Sequence, residues 1–233
     1  MENFDKIREN LKEIEYRIEN AKAKRASSRG VNVLLATKTQ SVEDILFAAG
    51  LGYRLIGENR VSELLAKYDA LKDWTDIHLI GHLQTNKVKS VVGKVSLIES
   101  VDSFRLAREI DKASAAAGIV SDVLVEINIG KEESKGGVMP EETEGFFEGL
   151  SEFENVRPVG IMTMAPRCAD KSDYNKYFSK TYSIFLDILQ KYLYNIIEPV
   201  LSMGMSESYE EAIAEGATEI RLGSAVFGSR VYN

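Results

Sequence analysis

The sequence has little of what would indicate a secreted, membrane-spanning or disulfide-bonded protein. It contains one cysteine, Cys168, so no disulfide can form within the chain, and a reducing compartment is expected. No stretch approaches the roughly 20 apolar residues needed to cross a bilayer. The N-terminal residues are charged throughout and lack the apolar segment of a signal peptide. These absences predict a cytoplasmic protein that does not bind membranes.

Positive charge and linker-like composition are also scarce. The formal net charge of −7 argues against a broad basic surface for nucleic acid. There are only four prolines and no glycine-rich or serine-rich tract that would separate domains. A chain of 233 residues can bury one sizeable core, so we expect one domain over residues 1–233. No extensive apolar stripe is readable, which predicts a monomer.

The sequence does contain a regular alternation of amphipathic and short apolar segments. An opening helix is predicted by apolar residues at spacings of three and four, namely Phe4, Ile7, Leu11, Ile14 and Ile18. After a break at Ser27–Gly30 come eight strand-like segments, at residues 31–37, 54–57, 76–81, 95–100, 122–130, 156–164, 199–204 and 219–223. Helix start signals between them include Ser41, Ser103, Pro140 and Ser206, and stop signals include Gly50, Gly118 and Gly216.

Eight strands that alternate with helices in a chain of this length predict an α/β fold, a single (β/α)8 TIM barrel with an extra N-terminal helix. An open, doubly wound sheet is the alternative. In a closed barrel the functional groups lie at the carboxyl ends of the strands.

Two glycine-containing turns follow the last two strands, where eight-stranded barrels commonly hold phosphate. The seventh strand ends at Gly204, and Ser206 can both cap the next helix and point its hydroxyl at an anion. The eighth ends at Gly223 and Ser224, whose turn offers backbone N–H groups. Either turn alone could be an ordinary strand-to-helix connection, but together they favour a phosphate site.

Strand alternation also directs an arginine into the barrel. Arg221 shares the inner face of the eighth strand with Glu219, while Ile220 and Leu222 face the helices. Since an unpaired buried charge is costly, this guanidinium needs an acceptor. The acceptor could be a structural ion-pair partner or an atom of a ligand.

A lysine occupies the corresponding end of the first strand. Lys38 has the same parity as the small Ala36 and should therefore point inward. An amine in a partly dry pocket is suited to form a Schiff base. A solvated surface lysine is the other interpretation.

Other polar residues near strand ends are less diagnostic. Asn59 follows the second strand and could hydrogen-bond a ligand hydroxyl. His78 and His82 could both face the barrel interior, but without a nearby set of carboxylates we expect core or loop histidines and no metal site. The polar, glycine-rich segment 131–137 predicts a mobile loop over the barrel mouth, from which Lys135 could reach an anion.

Eight segments then form a recognisable series: LLATKTQSVEDI around Lys38, GENRVSEL at 57–64, HLIGHLQTNK at 78–87, ESVDSFRLA at 99–107, INIGKEESKGG at 127–137, GIMTMAP at 160–166, LSMGMSESYEEAIAEGAT at 201–218 and IRLGSAVFG at 220–228. In these segments, over nearly its whole length, the sequence resembles the pyridoxal phosphate homeostasis protein family, which are single-domain relatives of the alanine racemase barrel.

The resemblance implies that pyridoxal 5'-phosphate is joined to Lys38 as a Schiff base and that Arg221 faces its pyridine nitrogen. Ser206 and the turn of Gly223 and Ser224 would hold the phosphate; many relatives have threonine at position 224, and serine keeps the hydroxyl. The full set of implied cofactor-binding residues is Lys38, Asn59, Met203, Gly204, Ser206, Arg221, Gly223 and Ser224. The implied role is intracellular cofactor homeostasis, with apo-enzymes as possible recipients.

The same resemblance favours a carrier over an enzyme, with no catalytic residue. An arginine at the pyridine nitrogen disfavours its protonation and weakens the ring as an electron sink. In the two-domain racemases a C-terminal domain supplies a second acid/base, whereas this sequence stops at Asn233, just after the eighth unit.

Two alternatives remain from the sequence. The first is a single-domain racemase or decarboxylase dependent on the same cofactor, with His82, Lys135 or a water as second base. The second is a sugar-phosphate barrel enzyme in which Lys38 attacks a substrate carbonyl.

Overall fold

The computed structural model describes residues 2–25 and 29–228. Its sheet is a closed barrel of eight parallel strands in sequence order. The strands are β1 Asn32–Ala36, β2 Leu55–Glu58, β3 Asp76–Leu79, β4 Leu97–Val101, β5 Ser121–Ile127, β6 Val156–Thr163, β7 Val200–Met205 and β8 Glu219–Leu222. Because β1 pairs with β8, the predicted (β/α)8 barrel is confirmed and the open sheet is excluded.

Helices lie between the strands and before the first one. They are α1 Glu2–Lys22, α2 Val42–Gly50, α3 Val61–Leu71, α4 Val88–Val91, α5 Phe104–Ala117, α6 Thr143–Leu150, α7 Asp173–Lys191, α8 Tyr209–Ala214 and α9 Ser224–Phe227. Residues 27 and 28 of the predicted break, and the end of the chain from residue 229, lie outside the described residues. No helix within the described ranges is long and apolar enough to cross a membrane.

Three of the predicted helix boundaries are confirmed by capping contacts or cap geometry. The Ser41 hydroxyl accepts a hydrogen bond from Asp44 N at 3.1 Å, and the Ser103 hydroxyl accepts one from Leu106 N at 3.4 Å. Gly118 ends α5 in the left-handed conformation, with φ of 69°.

The prediction for Ser206 as a helix cap is wrong. Helix α8 begins at Tyr209, with Ser208 as the preceding residue, because Met205–Ser208 form a turn of their own. The Ser208 hydroxyl accepts a hydrogen bond from Met205 N within that turn, at 3.3 Å. The Ser206 hydroxyl is therefore left to interact with the neighbouring loop.

Helix α1 packs on the outside of the barrel against α2, α8 and α9. Its predicted apolar stripe is confirmed, since Ile7, Leu11, Ile14 and Ile18 are buried. Phe4 stacks on Phe47 of α2 with ring centroids 4.4 Å apart. Helix α1 thus joins the first and the last βα units, on either side of the β1–β8 contact that closes the barrel.

This packing makes α1 a test of the fold's stability. Replacement Leu11→Ala removes a 2% exposed side chain from the contact, so we expect the free energy of unfolding to fall by about 2–5 kcal/mol in urea denaturation. Tyr16→Ala, on the 66% exposed side of the same helix, is the matched control and should change it by no more than about 0.5 kcal/mol. Equal effects of the two replacements would contradict the packing described here.

Candidate functional site

A cavity of about 420 Å³ opens at the carboxyl end of the strands. Its volume is in the range of small-molecule sites, roughly 300–1,000 Å³. The structure brings five predicted site residues together in its lining, namely Asn59, Ser206, Arg221, Gly223 and Ser224. Lys38, Met203 and Gly204 are not among the lining residues that the structure describes.

Lys38 lies in a turn directly after β1, two residues beyond Ala36, which does line the cavity. The lysine is half-buried. Thr39, the next residue, has φ of 66°, which is unfavourable for a β-branched side chain. Strained backbone of this kind persists only where surrounding contacts hold it.

The Lys38 turn is tethered on both sides to the β2–α3 unit. Before the lysine, the Thr37 hydroxyl donates to Glu58 Oε1 at 2.8 Å and the Thr37 carbonyl accepts from Lys67 Nζ at 3.0 Å. Lys67 Nζ also lies 2.9 Å from Glu58 Oε1. After the lysine, Thr39 N donates to Glu63 Oε2 at 2.9 Å. These contacts fix the backbone on either side of Lys38.

The loops after β7 and β8 are joined through Ser206. Its hydroxyl oxygen accepts hydrogen bonds from Gly223 N at 3.2 Å and Ala225 N at 3.1 Å. Backbone donors of one loop and a hydroxyl of the other therefore converge at the edge of the cavity. An anion at this point could accept from the Ser206 O–H and, in place of the Ser206 oxygen, from the two backbone N–H groups.

Gly204 and Met203 lie at the end of β7, directly before the loop that carries Ser206. Gly204 has φ of 93°, and a Cβ atom there would lie 2.5 Å from the Ala212 Cβ, so α8 can approach the loop only because this residue is glycine. Met203 is fully buried in the core between strands and helices. Both residues shape the loop, and their predicted direct contact with a ligand stays a prediction.

Arg221 points into the barrel, as its strand parity predicts. The side chain is 5% exposed, yet it contributes to the cavity lining. Its NH1 donates to the Ser202 hydroxyl at 2.7 Å, and its NH2 donates to the Thr163 carbonyl at 2.8 Å. Two acceptors on neighbouring strands thus hold the guanidinium at the base of the cavity.

Below Arg221 lies a buried cluster that the sequence analysis missed. His78 Nδ1 is 2.8 Å from Glu99 Oε1 and 3.7 Å from Glu219 Oε2. Ser202 Oγ contacts both carboxyl groups, at 2.7 Å from Glu99 Oε2 and 2.8 Å from Glu219 Oε1. The expectation that His78 has no nearby carboxylates is therefore wrong, because barrel closure brings β4 and β8 next to it.

The three titratable groups of this cluster have shifted pKa values. Burial, together with the charge of Glu99, raises the pKa of Glu219 to about 8. Burial also tends to raise the pKa of Glu99, but the hydrogen bond and charge of His78 lower it overall. For His78 burial tends to lower the pKa, and the hydrogen bond to Glu99 with the charge of Glu219 raises it overall.

Another buried carboxyl with a raised pKa lies on β5. Burial raises the pKa of Glu126 to about 7, and the charge of Asp102 acts in the same direction while Arg221 opposes it. Two buried acids, Glu126 and Glu219, therefore have pKa values raised to the neutral range.

The other polar residues singled out in the sequence have different surroundings. His82 is exposed in the loop after β3 and lies in a shallow hollow beside Asn59, outside the main cavity lining.

Lys135 does line the cavity, and its Nζ forms an ion pair with Glu132. Asn128 is 6% exposed and ties down the loop that carries Lys135, because its amide donates to the carbonyls of Glu132 and Lys135. The mobility of this loop stays a prediction.

Several residues of the cavity wall carried no signal that the sequence analysis used. They include Met164, Arg167, Tyr174 and Glu207. Tyr174 of α7 is buried and stacks on Phe178 with centroids 5.8 Å apart, and it also contributes to the wall. A residue of an amphipathic helix can serve both purposes at the end of a barrel.

Comparison with known proteins assigns the chain to a family. The sequence model of the alanine racemase N-terminal domain matches residues 3–231. A protein of Aquifex aeolicus named pyridoxal phosphate homeostasis protein is 47% identical over 91% of this chain and 93% of its own length. A protein of the same name from Synechocystis is 36% identical over 86% of this chain and 92% of its own length.

Solved structures agree with the barrel. PipY of Synechococcus elongatus, in a structure with PLP bound, is 29% identical, covers 95% of this chain and 100% of its own, and has a TM-score of 0.81. An alanine racemase of Clostridium difficile shares the fold at 16% identity with a TM-score of 0.77, and covers 98% of this chain but 61% of its own. This chain therefore belongs to the alanine racemase N-terminal domain family and, within it, to the pyridoxal phosphate homeostasis proteins.

Proposed function

We propose that this protein binds pyridoxal 5'-phosphate, carries it as a Schiff base on Lys38 and takes part in intracellular homeostasis of the cofactor. The observation that carries the proposal is the cavity at the carboxyl end of the barrel, where Asn59, Ser206 and Arg221 meet beside the tethered Lys38 turn. The structure of PipY with PLP bound, in a relative of the same fold, supports the same choice of ligand.

The residues at the cavity fit a phosphorylated, aromatic aldehyde. Ser206 and the N–H groups that converge on it would hold the phosphate, with Gly223 and Ser224 forming the other side of the cradle. Lys38 would supply the amine, and its tethered backbone would limit the movement of its side chain to the four-carbon stem. Asn59 would reach the ring hydroxyl.

Arg221 would face the pyridine nitrogen from the base of the cavity. When bound, the cofactor supplies an aldehyde for the amine and a ring that can act as an electron sink when protonated. The guanidinium is a permanent donor held in place by Ser202 and Thr163, so it would disfavour a second positive charge on the ring nitrogen. It would therefore favour binding over amino-acid chemistry.

A carrier without significant turnover is the more specific part of the proposal. It is supported by the homeostasis name of the relatives and by the surroundings of the two candidate bases. His82 is exposed beside a different hollow, and the Lys135 amine is paired with Glu132. A racemase or decarboxylase needs a base that is free to face the bound substrate.

The remaining parts of the proposal concern the setting of the protein. We propose that residues 1–233 form one domain, that the protein acts in the cytoplasm as a monomer, and that apo-enzymes dependent on the cofactor receive it. No nucleic acid or membrane is proposed as a partner, given the acidic net charge of −7 and the composition.

Lys38→Ala tests the covalent attachment. We expect wild-type protein mixed with pyridoxal phosphate to show the visible absorbance of a Schiff base, and the variant to lose it, because the amine that captures the aldehyde is gone. Reduction with borohydride followed by peptide mass spectrometry should place the added mass on the peptide that contains Lys38. Lys89→Ala, which removes an exposed lysine of α4, is the control and should keep the absorbance.

The outcomes separate the three candidate functions. A colourless wild-type protein would contradict the cofactor assignment and favour a sugar-phosphate enzyme. Absorbance in the wild type together with racemisation or decarboxylation of an amino acid from a panel of twenty would contradict the carrier. Absorbance without turnover is the result that we expect.

Ser206→Ala tests the phosphate cradle. A hydrogen bond to a charged group contributes about 1.5–3 kcal/mol, so removing the hydroxyl should weaken binding of pyridoxal phosphate by roughly 10- to 100-fold. Affinity for pyridoxal, which lacks the phosphate, should be unchanged, and this comparison serves as the control. If the variant weakens both ligands equally, Ser206 does not bind phosphate. The measurement is a spectroscopic titration at constant pH.

A further inference from the structure

The Ser202 hydroxyl has more close partners than one hydrogen can serve. Its oxygen lies 2.7 Å from Arg221 NH1, 2.7 Å from Glu99 Oε2 and 2.8 Å from Glu219 Oε1. A guanidinium can only donate, and a hydroxyl donates one hydrogen while accepting up to two. One carboxyl can therefore accept from Ser202, and the other must carry a proton and donate to it.

The geometry identifies Glu219 as the protonated group. Glu99 has a second donor, because its other oxygen lies 2.8 Å from His78 Nδ1. The corresponding oxygen of Glu219 is 3.7 Å from the same nitrogen, beyond hydrogen-bond distance. Glu99 thus receives two hydrogen bonds as a carboxylate, whereas Glu219 is left to donate. The raised pKa of Glu219 and the lowered pKa of Glu99 agree with this assignment.

We propose that Glu219, as a neutral acid, is a positioning residue for Arg221: it donates to Ser202, and Ser202 in turn accepts the guanidinium that lines the cavity. The inference rests on the proposed function in one respect only, which is the identity of the ligand that Arg221 faces. Without the proton, two carboxylates would face one hydroxyl, which has a single hydrogen to donate. Ser202 could then no longer bond both carboxyl groups while it accepts from Arg221, and the guanidinium would lose its fixed acceptor.

Four other strands place groups around Glu219. His78 faces it from β3, Glu99 from β4 and Ser202 from β7. On β1, Asn32 is its partner in the pairing of β1 with β8. Arg221 is two residues along on the same strand. With Glu219 neutral and Glu99 ionised, one carboxylate balances the buried charge of Arg221, and the two acids do not repel each other.

A metal ion is the competing occupant of this cluster. One ligand atom each from His78, Glu99 and Glu219 lies within 4.8 Å of the others. However, none of the polar atoms of these side chains is among the buried atoms without a partner in the described part of the chain. Arg221 already brings positive charge to Ser202. A single proton therefore satisfies the contacts of the Ser202 hydroxyl, and the metal becomes an outcome of the test.

The test compares wild type with Glu219→Gln and Glu219→Ala. Glutamine is a permanent analogue of the neutral acid, since its amide donates to Ser202 and cannot ionise. We expect it to keep affinity for pyridoxal phosphate near the wild-type value at pH 7, while alanine weakens binding by roughly tenfold or more because Ser202 and Arg221 lose their support. Loss of affinity in both variants to the same degree would overturn the proposal.

Measurements on the ligand-free protein separate this inference from the proposed function. The infrared spectrum of the wild type at pH 7 should contain the carbonyl band of a buried carboxylic acid that Glu219→Gln lacks. A group whose folded pKa is raised contributes stability that is lost as pH rises from the unfolded to the folded value. The melting temperature of the wild type should therefore fall more steeply than that of Glu219→Gln between about pH 5 and pH 8.

Three results would overturn the inference. The first is an infrared band that is unchanged in Glu219→Gln, and the second is parallel melting curves for the two proteins across the pH range. The third is an increase in melting temperature with zinc chloride that Glu219→Gln abolishes, which would assign the cluster to a metal. If no form of the protein binds pyridoxal phosphate, the proposed function is wrong, and the infrared band and the melting curves then decide whether Glu219 holds the proton.

Discussion

The interior of this barrel depends on the neutralisation of a buried cation. The Arg221 guanidinium is almost fully withdrawn from water, and a buried charge without acceptors would cost several kcal/mol. Its acceptors come from β6 and β7, and through Ser202 the network reaches Glu99 on β4 and His78 on β3. These strands can meet only inside a closed sheet. Closure of the barrel therefore completes the network behind Ser202, which is one of the two acceptors of the guanidinium.

The two halves of the candidate site are held by different means. Arg221 is fixed from inside the barrel by a network of titratable groups. The Lys38 turn is fixed from outside by the β2–α3 unit. Lys67 and Glu63 bind the backbone on either side of the turn, and Glu58 accepts from the Thr37 hydroxyl. The amine is thus carried on a rigid turn whose support does not involve the cavity. A ligand that enters meets donors that are already in place, which lowers the entropic cost of binding.

Strand periodicity predicted much of this arrangement. The alternation along β8 correctly directed Glu219 and Arg221 inward, since side chains of a strand alternate strictly between faces. The segments after β2, β7 and β8 were expected at the cavity because parallel strands end on one rim. Asn59, Ser206 and Ser224 lie there.

What could not be predicted depends on distances between strands. Glu99 has the parity of Leu97, so its inward direction could have been read from the sequence, but its contact with His78 requires the barrel register, in which His78 pairs with Leu97. The start of α8 was misplaced because Met205–Ser208 close a turn that competes with the helix for Ser206. Local propensity does not decide such competitions. In the sequence, Asn128 does not differ from other polar residues that follow a strand. Its hydrogen bonds to the 131–137 loop depend on the folded conformation of that loop.

The pairing of β1 with β8 has a consequence for how the chain is made. On the ribosome β1 emerges before the other strands, but its second partner is the last strand of the sheet, so one edge of β1 stays unpaired until β8 has been synthesised. An exposed strand edge can pair with other chains. Helix α1 is synthesised before β1 and ends up against α8 and α9, so its own final contacts also form last. The nascent protein must therefore pass through a long interval in which the barrel is assembled but open, and this interval is when it is most vulnerable to aggregation.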